Sequence, residues 1–319
     1  MPEGDNIHAH AAALSALVGE PLTGVWSRGV EMRGLRKQAV ARVEAIGKHL
    51  LIAFDEGSAV RVHLGIAGSW RRARRPAVAT LAQAELALQT AAGAWIAKAR
   101  TVEWTRARFA AGARALGRLG PDLLGPVAPD LDAVVARARA PIHAARPIAE
   151  LLLDQSIAAG LGNVYKCELL FLHGVHPWRR VDSVDDATLR AMFADGMRLL
   201  RANVGRARTT TSRRDVRYHV YGRHRRACVK CGEPIALARQ RPSLRPTYWC
   251  PRCQPESSSP TTSGASASLS SARSATIAAR GIAPCTCGIG PRGVATTRTS
   301  QRNRRGSICK TRSRAPSGK

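Results

Sequence analysis

Two cysteine pairs, Cys228-Val229-Lys230-Cys231 and Cys250-Pro251-Arg252-Cys253, stand eighteen residues apart. C-x2-C followed at that distance by C-x2-C is the spacing of a four-thiolate zinc site. It constrains the fold more than any other feature, because both pairs must close tight knuckles on one tetrahedral ion. The intervening length suits a β-hairpin. Such a small module has almost no core, so the metal would supply most of its folding free energy. The spacing therefore assigns Cys228, Cys231, Cys250 and Cys253 to one structural Zn2+, against the plainer alternative of unrelated buried thiols. Arg239, Arg241 and Arg245 fall on the same hairpin and give it a face suited to phosphates.

Charge points the same way. The 319 residues carry a net charge of +28 and a sequence pI near 11.4, which suggests a polyanionic partner, most simply nucleic acid. Arginine-rich coding bias is the competing explanation, since Ala, Arg and Gly are all abundant. With no run of 18 apolar residues and no leader pattern, the chain is expected to be soluble and cytoplasmic. In that setting the eight cysteines favour metal or catalytic roles over disulfides.

Upstream of the cysteines the chain divides by pattern. Asp5 reads as the N-cap of a helix from Asn6 to about Val18, with Ile7, Leu14, Leu17 and Val18 on one apolar face. From Leu22 to Trp104 short apolar runs alternate with Gly and charged residues: Val40–Ile46, Leu50–Phe54, Ala59–Leu64 and Trp95–Trp104. Half-buried strands in a sandwich or barrel-like β domain are the economical reading. Lys48, in Gly47-Lys48-His49-Leu50-Leu51, sits at the mouth of one strand. After Leu119-Gly120-Pro121-Asp122 the signals turn helical, over Leu131–Arg139, Pro147–Asp154, Asn163–His173 and Asp186–Val204. Ala159-Gly160-Leu161-Gly162-Asn163 opens onto one of these helices and offers a backbone cradle for a phosphate, although many tight turns look alike.

The two ends of the chain differ in kind. Residues 255–319 hold eleven Lys or Arg and one Glu, with few large apolar residues, and are expected to be disordered. Cys285, Cys287 and Cys309 are too irregularly placed for a metal site, and the segment also fits an out-of-frame reading of a GC-rich gene. At the other end, Met1 before Pro2 is of the kind that aminopeptidases remove. The exposed Pro2 α-amine would have a pKa of about 7.7–8.0, against about 10.4 for a Lys side chain. Near neutrality such an amine can attack an electrophilic carbon, with the Glu3 carboxyl beside it to pass protons.

Four segments in this order, Met1-Pro2-Glu3-Gly4, Gly47-Lys48-His49-Leu50-Leu51, Gly160-Leu161-Gly162-Asn163-Val164-Tyr165 and the finger ending Arg245-Pro246-Thr247-Tyr248-Trp249-Cys250-Pro251-Arg252-Cys253-Gln254, resemble the formamidopyrimidine-DNA glycosylase / endonuclease VIII family of base-excision repair enzymes. The resemblance covers about residues 2–254. It implies an α+β multidomain fold: an N-terminal β-sandwich with an N-terminal helix, a helical helix–two-turn–helix domain and a zinc-finger β-hairpin. The corresponding ranges are 1–112, 113–221 and 222–254, with the basic tail at 255–319. It also implies a monomer acting on damaged double-stranded DNA at the nucleoid.

By the same resemblance Pro2 is the nucleophile that attacks C1′, expels the base and forms a Schiff base. Glu3 shuttles protons, and Lys48 assists ring opening and β-elimination. Arg245 grips the phosphates beside the lesion and is linked to δ-elimination. Asn163 and Arg118 match DNA-contacting positions. Extrusion of a base leaves a hole that something apolar must fill. Ile66 holds the family's wedge position, with core packing as the alternative.

Two departures bear on the substrate. Asp5-Asn6 stands where the family often has Pro-Glu, and the Arg-Arg-Phe motif of the oxidised-purine branch is missing, Arg106-Ala107-Arg108-Phe109 being a poor substitute. Both lean toward the endonuclease VIII branch and oxidised pyrimidines. The competing readings are the same chemistry on oxidised purines, or a non-catalytic zinc-finger DNA-binding protein.

Overall fold

The computed structural model describes residues 1–105, 116–240 and 244–256. The Arg106-Ala107-Arg108-Phe109 segment, Arg241, the cysteines at 285, 287 and 309, and the tail from residue 257 lie outside the described residues.

The chain opens with helix α1, Gly4–Leu14, followed by a 3-10 turn at Ser15–Leu17. Both ends of this helix differ from the expected Asn6–Val18 with an Asp5 cap. Its N-cap is Glu3, whose carbonyl accepts from Asn6 N at 3.0 Å and Ile7 N at 3.1 Å. Asp5 lies inside the first turn and is buried, so its carboxylate does not cap. At the other end the 3-10 turn breaks the 3.6-residue period. Ile7, Leu14 and Leu17 stay buried, while Val18 swings out and is half exposed.

Nine strands follow, and they form two antiparallel sheets. They are β1 Gly24–Ser27, β2 Val30–Glu31, β3 Val40–Ile46, β4 His49–Phe54, β5 Ala59–His63, β6 Ser69–Ala73, β7 Leu86–Thr90, β8 Gly93–Lys98 and β9 Thr101–Thr105, with the short helix α2, Val78–Ala82, between β6 and β7. One sheet has the order β3-β4-β5-β9 and the other β2-β1-β7-β8-β6. The apolar alternation explains the sandwich. Leu50, Ile52, Phe54, Val60 and Val62 pack with Leu86, Leu88 and Val25 in one core, closed by Ile7 and Leu14 of α1. The Trp95–Trp104 run is two strands, β8 and β9, and these belong to different sheets.

Past Asp122 the chain becomes helical: α3 Leu131–Ala138, α4 Ile148–Leu151, α5 Asn163–Leu172 and α6 Asp186–Asn203. Asp130 Oδ1 accepts from Asp132 N at 2.9 Å, and Asp185 Oδ1 from Thr188 N at 2.7 Å, so both capping aspartates satisfy donors at helix starts. Val134, Ile148, Leu151, Leu169, Leu189, Met192 and Phe193 form the second core. Strands β10, Ala236–Gln240, and β11, Arg245–Trp249, then pair as an antiparallel hairpin. Among the described residues no helix is long and apolar enough to cross a membrane.

Candidate active site

The N-terminus meets the helical region and the finger at one small pocket. Met1, Pro2, Glu3, Lys48, His63 and Arg245 line it, and Gly65, Ile66, Arg100 and Gly162 complete its wall around about 50 Å³. Four of the residues singled out in the sequence for chemistry, Pro2, Glu3, Lys48 and Arg245, thus share one cavity although they come from distant parts of the chain.

Glu3 is placed by a helix that is not its own. Its Oε1 accepts from Val164 N at 2.9 Å, in the first turn of α5. Helix N-termini favour anions because their first amides lack intrahelical partners. The Gly160-Leu161-Gly162 turn does cradle an anion there, but that anion is the Glu3 carboxylate and not the phosphate expected from sequence. Gly162 is required by close approach: a Cβ on it would lie 2.3 Å from the Glu3 carboxyl carbon. Glu3 is buried, and its Oε2 has no hydrogen-bond partner among the described residues. A buried, unpaired carboxylate oxygen in a pocket wall is costly unless a ligand engages it.

Lys48 occupies the two-residue turn between β3 and β4. Gly47 ahead of it has φ +57°, in the left-handed region that favours glycine. The turn is anchored from outside the sheet: Asp122 Oδ2 accepts from Gly47 N at 2.8 Å and contacts His8 Nε2 at 3.1 Å. Burial lowers the Lys48 amine to about 8, the Glu3 charge opposes this, and Arg245 and Arg208 push further down. An amine so placed exchanges protons near neutral pH. Behind it the His49 and His63 rings lie 4.9 Å apart. Burial, followed by the His63 and Arg61 charges, lowers His49 to about 4.

The remaining expected DNA-contacting residues have different settings. Ile66 is 67% exposed, so it is not a core residue. Arg118 is exposed as well. Asn163 is buried at the start of α5, and its Nδ2 donates to Pro246 O at 2.7 Å, which ties that helix to the finger strand beside Arg245. Its Oδ1 is buried without a hydrogen-bond partner among the described residues.

The four finger cysteines converge, with all four sulfurs within 4.8 Å of one another. The Cys231–Cys250 and Cys228–Cys253 separations are 3.4 and 3.9 Å. Tetrahedral zinc with S ligands at about 2.3 Å requires roughly 3.8 Å between sulfurs, so the donor set fits. Backbone amides of Lys230 and Cys253 each point at a cysteine sulfur at 3.4 Å, the arrangement that stabilises thiolates in a knuckle. These four cysteines could hold one metal ion.

Several residues in and around the site had no local sequence signal. Arg208 reaches across to Asp5 with Nε–Oδ2 of 2.7 Å. Lys166 is fully buried and donates to Thr247 Oγ1 at 2.7 Å, joining α5 to β11. The Glu168 carboxylate accepts the backbone amides of His219, Val220 and Tyr221 at 2.7–2.9 Å. Only the coincidence of charged residues within the apolar stretch Val164–Leu172 hinted at the last two.

A β-sandwich, a helical region and a four-cysteine hairpin thus surround one pocket lined by amine, guanidinium and carboxylate groups, and the same combination of parts defines a known class of DNA-repair enzyme. Residues 1–109 match the formamidopyrimidine-DNA glycosylase N-terminal domain, and residues 119–215 the formamidopyrimidine-DNA glycosylase H2TH domain. The probable endonuclease 8 2 of Streptomyces coelicolor is 38% identical over 267 residues, covering 80% of this chain and 94% of that protein. Endonuclease 8 2 of Mycobacterium bovis is 36% identical, covering 80% of this chain and all of that protein. The crystal structure of MutM (Fpg) from Thermus thermophilus matches with a TM-score of 0.65 at 27% identity, covering 81% of this chain and 100% of that one. Lactococcus lactis Fpg, solved bound non-covalently to DNA containing an AP site, shares the fold with a TM-score of 0.67 at 20% identity, covering 80% of this chain and 100% of that one. The chain belongs to the formamidopyrimidine-DNA glycosylase / endonuclease 8 family, whose members are DNA glycosylases with AP lyase activity.

Proposed function

We propose that this protein is a bifunctional DNA glycosylase/AP lyase that excises an oxidised base, of pyrimidine type, from duplex DNA, with Pro2 as its nucleophile. One observation carries the reading: Pro2, Glu3, Lys48 and Arg245 line a single pocket. With Met1 removed, the Pro2 nitrogen attacks C1′ of the damaged nucleotide and the C1′–base bond breaks. The base leaves with a proton, the Pro2 nitrogen gives up its own, and cleavage of the C1′–O4′ bond, with O4′ protonated, turns the Pro2–C1′ adduct into an iminium. Glu3 Oε2, buried and unpaired, is the oxygen available to protonate the sugar ring and take protons back. Lys48, with its amine near 8, shuttles protons as the ring opens and the 3′ phosphate leaves by β-elimination. Arg245 supplies a cation for the phosphates flanking that carbon, which favours the second, δ-elimination.

The other residues fit supporting roles. Ile66, apolar and exposed, fills the space a flipped nucleotide vacates. Arg118, exposed, meets the DNA backbone, and Asn163 fixes the finger strand that presents Arg245. The metal held by the four cysteines is a structural Zn2+, which supplies folding free energy to the finger and no chemistry to the reaction. Double-stranded DNA as partner accords with the net charge of +28. The pyrimidine preference rests on the relatives named endonuclease 8 and on the missing Arg-Arg-Phe motif.

Single-turnover excision on duplexes carrying thymine glycol, 5-hydroxycytosine or 8-oxoguanine tests the reading. Faster release of the oxidised pyrimidines, with strand cleavage following, is the expected result. A preference for 8-oxoguanine would overturn the substrate assignment. DNA binding without any release would favour a non-catalytic finger protein.

A further inference from the structure

The chain carries a guanidinium where the reacting end is anchored. Arg208 follows α6 in a loop, yet its side chain is only 8% exposed. Its Nε donates to Asp5 Oδ2 at 2.7 Å, and its Nη2 to Asp5 Oδ1 and to Asn6 Oδ1, both at 2.5 Å. Its Nη1 donates to the Met1 carbonyl at 3.2 Å and lies 3.9 Å from Glu3 Oε1. Four consecutive-turn groups of the N-terminus therefore meet one side chain that lies about 200 residues away in sequence.

We infer that Arg208 is a positioning residue for the proposed Pro2 nucleophile: by gripping Asp5 and Asn6 it fixes the first turn of α1, so that the Pro2 nitrogen and the Glu3 carboxylate face the pocket together. The inference rests on the reading of Pro2 given above. The O and N atoms of a peptide group are about 2.3 Å apart, so the contact with Met1 O brings the guanidinium within roughly 5.5 Å of the Pro2 nitrogen. Met1 O leaves with Met1, while the Asp5 and Asn6 contacts remain to hold the new terminus. A chain end without such an anchor frays.

The anchor is itself held. Asn203, at the end of α6, donates from Nδ2 to Thr209 O and accepts Thr209 N at Oδ1, both at 2.9 Å, which closes the loop carrying Arg208. Beneath it the Tyr165 ring centre lies 5.2 Å from the guanidinium carbon, and Tyr165 OH donates to Asp5 Oδ2 at 3.0 Å. Burial, helped by the Asp5 charge, holds the Tyr165 phenol well above its usual pKa, so it remains a donor. For Arg208 burial works against the charge, but the Asp5 bonds and the Glu3 charge outweigh it and raise the pKa. Asp5 and Asn6, the two residues that depart from the Pro-Glu pattern, are both Arg208 partners.

A merely structural ion pair makes a different prediction. Breaking a buried pair by removing one partner destabilises, whereas removing both charges often does not. The test compares wild type, Arg208→Met, Arg208→Met with Asp5→Asn, and Arg208→Lys, each confirmed to lack Met1. Three quantities are read for each: melting temperature, affinity for duplex DNA with a tetrahydrofuran abasic analogue, and the rate of borohydride-trappable imine at saturating abasic DNA. Arg208→Met should melt lower, and the double variant should recover most of the loss because Asn still accepts from Tyr165. Both should bind the analogue within about threefold of wild type yet form the imine roughly 30-fold more slowly, as expected for a misplaced reacting group. Arg208→Lys, which keeps the charge with fewer donors, should fall between, and it carries the comparison if the Met variants do not fold. A double variant with restored melting and a wild-type imine rate would overturn the inference and leave Pro2 untouched. Loss of analogue affinity with an unchanged saturating rate would overturn it in favour of a DNA contact. Failure of wild type itself to form an imine would overturn the Pro2 reading and the inference with it.

Discussion

Glu3 Oε1 accepts a hydrogen bond from Val164 N at 2.9 Å, across 161 residues of chain. One contact thus fixes the carboxylate at the start of the sandwich domain to the first turn of a helix in the other half. The second oxygen, buried without a partner among the described residues, is left for the pocket.

Gly162→Ala tests this contact without touching a charged group. Its Cβ would lie 2.3 Å from the Glu3 carboxyl carbon, so Glu3 must move. The variant should lose roughly 1–3 kcal/mol of stability by overpacking and about 100-fold in imine formation by misplacement of Glu3. Denaturant melts and borohydride trapping measure the two effects separately. Trapping at the wild-type rate would show that Glu3 placement does not matter.

Lys48 makes a prediction about pH. Its amine is held at about 8 in the folded protein, chiefly by burial, against about 10.4 in the unfolded chain. Between these values the unfolded chain binds more protons, so stability from this group rises with pH; below 8 the buried charge is a fixed cost. Lys48→Met should therefore stabilise the protein near pH 7 by on the order of 1–2 kcal/mol, discounted because the side chain keeps some contact with solvent. The gain should shrink between pH 8 and 10, while strand cleavage is lost. Melting curves from pH 7 to 10 check this, and a gain that does not vary with pH would contradict the burial argument.

Ile66 separates wedge from core. At 67% exposure its truncation to Ala should change stability by less than about 0.5 kcal/mol. Excision from a duplex should fall about tenfold, since unstacking a base costs a few kcal/mol that the wedge offsets. Excision of the same lesion in single-stranded DNA should be little changed. Equal losses on both substrates would argue against the wedge.

The finger is tested by metal content. The sulfurs of Cys231 and Cys250 lie 3.4 Å apart, and Cys250→Ser removes one of four thiolates. Native mass spectrometry should show one zinc per wild-type chain and none in the variant. Because zinc binding carries roughly 10–16 kcal/mol in such modules, the hairpin bearing Arg245 should unfold and DNA affinity should drop. A variant that binds DNA normally without zinc would contradict a structural metal.

Much of this architecture was legible in the sequence, for identifiable reasons. β3 falls on the Val40–Ile46 run, and α6 starts at Asp186 beside its Asp185 cap, because local pattern and burial agree there. The four-thiolate spacing located the finger. What escaped was long-range. β1 and β7 pair across sixty residues of chain and carry no strong alternation of their own. Asp5 ahead of an apolar helix has the same local signature whether it caps or is buried, and distant partners, Tyr165 and Arg208, decide between the two. The glycine turn before Asn163 has the pattern of a phosphate cradle, yet its helix start holds the Glu3 carboxylate, which no local signal could show.

The central claim is that Pro2, freed of Met1, forms the covalent bond to DNA. Processed protein and protein that retains Met1 should be mixed with abasic-site duplex in the presence of borohydride, digested, and the adduct located by peptide mass spectrometry. Processed protein should carry a reduced sugar adduct on the Pro2 nitrogen, and protein that retains Met1 should carry none although the DNA is still bound. An adduct on Lys48, or equal trapping by both proteins, would contradict it.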